Sequence, residues 1–162
     1  MSALTPEQRY AAVDALPPPP PPQRMPRAGA RRLGSDLLIT SGRTAVGPDG
    51  TLLVRGRLGG EVDLETGRRC AWQCAANVVA AARAELGSLD LIRGVPRVTV
   101  FVASAPGFVG QSLVADGATQ YFHAVFGAEA GHHARSAIGV MHLPNNSPVE
   151  VEAIFDLGRA SD

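Results

Sequence analysis

An arginine and a pair of glutamates stand near the C-terminus, where they could handle a small organic acid. The run from Arg135 to Phe155 reads as two apolar strands joined by the polar turn Asn145-Asn146-Ser147-Pro148. Arg135 opens the first strand. Its planar guanidinium can make two parallel hydrogen bonds to a carboxylate, so it is a candidate clamp. Glu150 and Glu152 alternate with Val149, Val151 and Ala153 in the second strand and so project from one side of it, together with Ile154. A carboxylate covered there needs a partner or has its pKa raised, and it can move a proton or orient a water. Paired antiparallel, the two strands would set Arg135 beside these glutamates and frame a pocket for a small anion. His133, two residues before Arg135, is a candidate for the rim of that pocket.

Other motifs carry less. Cys70 and Cys74 lie one helical turn apart, but a metal site needs more ligands than the neighbouring sequence offers; they read as small buried hydrophobes. Adjacent histidines point apart, so His132 and His133 do not chelate one ion. Gly56-Arg57-Leu58-Gly59-Gly60 lacks the spacing and the strand-to-helix context of a nucleotide loop. There is no nucleophile elbow, and Ser41 at a strand end reads as a hydrogen-bonding residue. The expectation is a site with no metal and no cofactor.

The 162 residues suffice for one domain with its own core. With 15 basic and 15 acidic residues the net charge is zero, which argues against a nucleic-acid partner or an anionic membrane surface. Every basic side chain apart from histidine is arginine; without lysine there is no Schiff base and no P-loop lysine. No apolar run is long enough for a membrane span and no signal peptide is visible, so a cytoplasmic protein is expected.

The elements that must position these residues follow from periodicity and punctuation. Thr5-Pro6-Glu7-Gln8 is a helix start with a capping pattern, and the helix is expected to run to about Leu16. Pro17 to Pro22 form a polyproline strut. Residues 24–33 suggest an edge strand turning at Gly34-Ser35-Asp36, and Leu37–Ser41 a buried strand. Pro48-Asp49-Gly50 suggests a hairpin of 43–47 with 51–55. Cys70, Cys74, Val78 and Ala82 recur at helical spacing and predict a helix over 64–86, capped by Gly87. Val95–Val102 predicts a central strand and 112–126 a second helix, followed by a loop over 127–133. The outcome is an α/β (α+β) domain over residues 24–158, two helices packed on one face of a mixed sheet, preceded by the helix and strut of residues 1–23.

With these blocks in place the sequence resembles the RidA/YjgF family. The resemblance rests on LLITSG (37–42), VTVFV (98–102) and above all ARSAIGVMHLP (134–144) followed by VEVEAI (149–154). The N-terminal helix and strut, SAPGF and HHARSAIGV are similar to a longer subgroup of that family. The resemblance implies a chorismate-mutase-like fold and a homotrimer with ligand clefts between subunits. It also implies an enzyme that hydrolyses a small carboxylate-bearing imine or enamine (a 2-imino or enamine acid) to a 2-keto acid and ammonia, without metal or cofactor. By the same resemblance Arg135 is the carboxylate clamp and Glu150 orients the attacking water. Ser41 and Gly42 line the pocket, and backbone groups near Ala137 stabilise the tetrahedral species. Arg24 (or Met25) stands where the family carries a tyrosine, and Asp116 is nearest to a family asparagine. A non-catalytic binder of a small carboxylate, a specialised biosynthetic step and a ribonuclease are the alternatives.

Overall fold

In the last strand, burial alternates residue by residue from Val149 to Asp156, which shows a sheet covered on one side only. The computed structural model describes residues 3–19 and 29–158. Along the chain lie α1 (Pro6–Ala12), β1 (Ala30–Leu33), β2 (Leu37–Thr40), β3 (Arg43–Thr44), α2 (Leu64–Leu86), β4 (Gly94–Ala103), α3 (Gln111–Ala130), β5 (Ala134–Val140) and β6 (Val149–Asp156). The sheet order is β1-β2-β6-β4-β5, with β3 also on β6. All pairs are antiparallel except β4–β5.

The expected mixed sheet with two helices on one face is present. α2 begins at an Asp63 cap that accepts from the Thr66 N–H (2.7 Å) and ends at Gly87, whose φ of 82° favours glycine. It buries Cys70, Cys74, Val78, Val79 and Ala82 against the inward side chains of β4 and β6, including Val100, Val151 and Phe155. Gly117 lets α3 approach it closely: a Cβ there would collide with the Arg68 carbonyl.

The pairing of the last two strands differs from the expectation. β5 does not pair with β6; β4 lies between them. α3 crosses the helix-covered face and returns the chain parallel to β4, as a strand–helix–strand crossover requires. The turn that looked like a hairpin, with Asn145 and Asn146 both at positive φ, instead carries the chain past Arg55 and Gly56. The Arg55 guanidinium and the Gly56 N–H donate to the carbonyls of Asn145 and Asn146.

Smaller differences have local causes. The expected hairpin over 43–55 shrinks to a single Val46–Leu52 bridge, because β3 is drawn onto β6. α3 runs on to Ala130 through a non-helical Gly127. α1 stops at Ala12, because the main chain beyond it is captured by α2. Trp72 Nε1 donates to the Asp14 carbonyl (3.1 Å), and the Gln73 amide bonds both the N–H and the carbonyl of Leu16 (3.1 and 3.0 Å). Of the proline strut, Pro17–Pro19 are described; Pro20–Pro22, with Arg24 and the start of the expected edge strand, lie outside the described residues. Among those described, no helix is long and apolar enough to cross a membrane.

One irregularity bears on the site. Ile39 pairs with Ile154 and Arg43 with Val151, so three residues of one strand oppose two of the other. This is a β-bulge at Thr40-Ser41-Gly42, a device that redirects side chains. The Thr40 hydroxyl stands in for the missing main-chain pair: it accepts from the Ala153 N–H (3.0 Å) and donates to the Ala153 carbonyl (3.2 Å).

Candidate active site

Arg135 is the second residue of the edge strand β5, in register with Val98, so it projects toward the helices. α3 meets it there. Arg135 Nη1 donates to Asp116 Oδ1 (2.9 Å) and Thr119 Oγ1 (2.8 Å); Nη2 donates to the Ser112 hydroxyl (3.0 Å) and carbonyl (3.2 Å). Ser112, Asp116 and Thr119 share one side of α3 because they are four and three residues apart. The arginine side chain is only 20% exposed.

His133 extends this cluster. Its Nε2 lies 3.0 Å from Thr119 Oγ1 and its Nδ1 2.6 Å from the Gly131 carbonyl. Burial is the main cause holding its pKa below the ordinary value. The Gly131 bond opposes the shift, and the charges of His123, Arg135 and His132 add to it.

Glu150 lies elsewhere. It is in register with Phe101 of β4 and Thr44 of β3, on the face that the helices leave uncovered. The bulge brings Gly42 directly under its carboxylate; a Cβ at position 42 would collide with it. Burial first, and the neighbouring Glu152 charge second, raise the Glu150 pKa above 4.5. Among the described residues the carboxylate has no ion-pair partner. The expected sharing of one side by Glu150, Glu152 and Ile154 is observed.

The sequence-assigned residues therefore fall into two groups. Ser41, Gly42 and Glu150 meet at the bulge, where the Ser41 N–H also donates to the Gly29 carbonyl (3.0 Å). Arg135 and His133 meet on α3, and Ala137 shares their face, in register with Val100. Arg135 and Glu150 do not face one another within a single chain. Their strands are separated by β4 and their side chains point to opposite faces, which corrects the expected pairing across an antiparallel hairpin. Arg24 lies outside the described residues. Ser112 and Thr119 are not among the residues the sequence singles out; their signal is the spacing of four and three residues that puts them with Asp116 on one side of α3.

Arg135, on an edge strand and bonded to α3, and Glu150, on the uncovered sheet face with its pKa raised by burial, are the two charged groups of the candidate site. The family description Endoribonuclease L-PSP matches residues 32–156, and the chain belongs to that family, which is the YjgF/RidA family. Protein TCP17 of Trypanosoma cruzi is 44% identical over 102 residues, which is 63% of this chain and 64% of that one; the match thus spans under two thirds of TCP17. The crystal structure of Atu1372 from Agrobacterium tumefaciens, a protein of unknown function, superposes with a TM-score of 0.82 at 35% identity, over 96% of this chain and 94% of that one. E. coli TdcF, solved with bound serine, superposes with a TM-score of 0.56 at 23% identity, over 86% and 91% of the two chains; that likeness speaks for the fold alone.

Proposed function

We propose that the protein is a homotrimeric, metal-free deaminase that hydrolyses a 2-imino or enamine acid to the 2-keto acid and ammonia in a cleft between subunits. The observation that carries this reading is Glu150, a half-buried carboxylate with a raised pKa, set by a β-bulge on a sheet face that one chain leaves bare. That face exposes Ile39 (39%) and Ile138 (41%), apolar surface that a second copy would cover. Because Arg135 and Glu150 look away from each other in one chain, a ligand touching both draws them from neighbouring copies.

The chemistry asks little of the protein. A protonated imine is already electrophilic. Arg135 holds the substrate carboxylate, and Glu150 accepts a proton from the attacking water and passes one to the departing nitrogen. A carboxylate with a raised pKa gives up a proton less readily than an ordinary one, which favours both transfers. The Arg135 terminal nitrogens are already bonded to α3, so an incoming carboxylate binds beside those acceptors or displaces one of them. The serine bound in E. coli TdcF supports an amino-acid-like ligand for this fold.

Ribonuclease activity, which the family description suggests, fits less well. The site glutamates would repel phosphate, and the chain has zero net charge. The test is to generate imino acids with an amino-acid oxidase and follow keto-acid formation. The protein should accelerate it, and Arg135→Ala should remove the acceleration. A carboxylate ligand that raises Tm but is never turned over would instead favour a binding protein; RNA cleavage without imine turnover would overturn the proposal.

A further inference from the structure

The hydrogen-bond directions around Thr119 follow from donor and acceptor chemistry together with the burial of His133. The Gly131 carbonyl can only accept, so His133 Nδ1, 2.6 Å away, carries a hydrogen. Burial keeps the imidazole neutral at neutral pH, which leaves Nε2 with a lone pair and no hydrogen. Thr119 Oγ1, 3.0 Å from Nε2, is then the donor of that bond. Its single hydrogen is spent on His133, and its lone pairs are left for Arg135 Nη1–H at 2.8 Å. The bonds run in one direction, from Arg135 through Thr119 and His133 to the Gly131 carbonyl, and each polarises the next.

We propose that His133 is a positioning residue: by taking the Thr119 hydroxyl hydrogen it turns the hydroxyl oxygen toward Arg135 and fixes the guanidinium at the head of β5. Protonation of His133 undoes this arrangement. Nε2–H then points at the same oxygen as Arg135 Nη1–H, the hydroxyl hydrogen must turn away, and a second cation stands beside the guanidinium. The charged and titratable groups facing His133 are His123 of α3, its ring 6.0 Å away, and Arg135 and His132. Asp116 offsets the Arg135 charge, and Phe122 closes one side of the imidazole. The device makes Arg135 a strong clamp above the His133 pKa and a loosened one below it. Its functional meaning rests on Arg135 gripping a carboxylate; the hydrogen-bond relay itself does not.

The first measurement is therefore made without ligand. Histidine and arginine side-chain nitrogens of the ¹⁵N-labelled full chain are followed by long-range ¹H–¹⁵N correlation from pH 8 to pH 5. The expected result is the Nδ1–H tautomer for His133, with the Arg135 Nε resonance moving as His133 titrates. Thr119→Val should raise the His133 pKa, because the donor that favours the neutral ring is gone, and should shift Arg135; Thr119→Ser, which keeps the hydroxyl, should do neither. An Nε2–H tautomer, or an Arg135 resonance unmoved by Thr119→Val and by His133 titration, would overturn the proposal. The second measurement uses 2-oxobutyrate as the probe. Thr119→Val and His133→Leu should each weaken its binding roughly tenfold. His133→Gln, whose amide oxygen can still accept, should restore most of it. If the unmodified protein does not bind 2-oxobutyrate while the tautomer and the Thr119 dependence hold, the clamp reading of the preceding section falls and the relay stands. If binding is unchanged in Thr119→Val and His133→Leu, the positioning role falls instead.

Discussion

The two faces of the sheet treat their charged residues in opposite ways. On the helix-covered face Arg135 is heavily committed, with four hydrogen bonds to Ser112, Asp116 and Thr119. On the bare face Glu150 is half-buried, burdened by the Glu152 charge, and without an ion-pair partner among the described residues. The first arrangement fixes a geometry at little electrostatic cost, as a binding group requires. The second leaves a carboxylate whose burial favours its protonated form, the property that the proposed acid–base role needs. On the proposed function, a substrate joins the two where the edge of one sheet meets the bare face of a second copy.

Removing the under-satisfied group should have the largest effect. Glu150→Gln keeps the shape of the side chain and takes away its proton chemistry, so imine hydrolysis should fall by about 100- to 10,000-fold with substrate binding largely kept. A variant retaining full turnover would show that Glu150 is merely a tolerated surface acid. Gly42→Ala comes next. A Cβ there collides with the Glu150 carboxylate, so kcat should drop about tenfold or more while the far-UV circular dichroism spectrum stays unchanged. Asp116→Asn probes the other face. It removes the charge that competes with a substrate carboxylate for Arg135, so 2-oxobutyrate should bind a few times more tightly by calorimetry; weaker binding would mean that Asp116 mainly positions the guanidinium.

The smallest effect concerns stability. The raised Glu150 pKa means that the folded chain holds this proton to a higher pH than the unfolded chain does. The associated stability is full below about pH 4.5 and is lost as pH rises through the raised value. At neutral pH the ionised carboxylate is therefore a cost, and Glu150→Gln should raise Tm at pH 7 by on the order of 1–3 °C, with the gain vanishing near pH 4. His133 has the opposite linkage. Its folded pKa is lowered, so the unfolded chain binds more protons, and stability declines as pH falls below the ordinary histidine value of about 6.5.

Much of this was legible in the residues and some was not, for physical reasons. α2 was read to its ends because apolar periodicity, a run of small residues and a terminal glycine all point the same way. The sequence suggests that α3 ends before Gly127 because glycine is a common helix stop; here the helix resumes after it. The sequence points to a β5–β6 pairing because a polar Asn-Asn turn between apolar runs is the local signature of a hairpin, whereas the parallel β4–β5 pairing is set by a distant crossover that leaves no mark near Arg135. Arg135 and Glu150 could be picked out by residue type and by resemblance, but not their opposite orientations. These follow from register, and a shift of one residue reverses every side chain. The bulge at Ser41-Gly42 leaves no trace beyond a glycine at a strand end.

The central claim, that one copy supplies the clamp and its neighbour the carboxylate, is tested most directly by mixing two dead proteins. Arg135→Ala and Glu150→Gln chains, co-expressed in equal amounts so that subunits assort at random, should regain about a quarter of the unmodified imine-hydrolysis rate, because about one subunit junction in four then carries both intact groups. A mixture that stays as inactive as its parents, while native mass spectrometry shows mixed trimers, would contradict it.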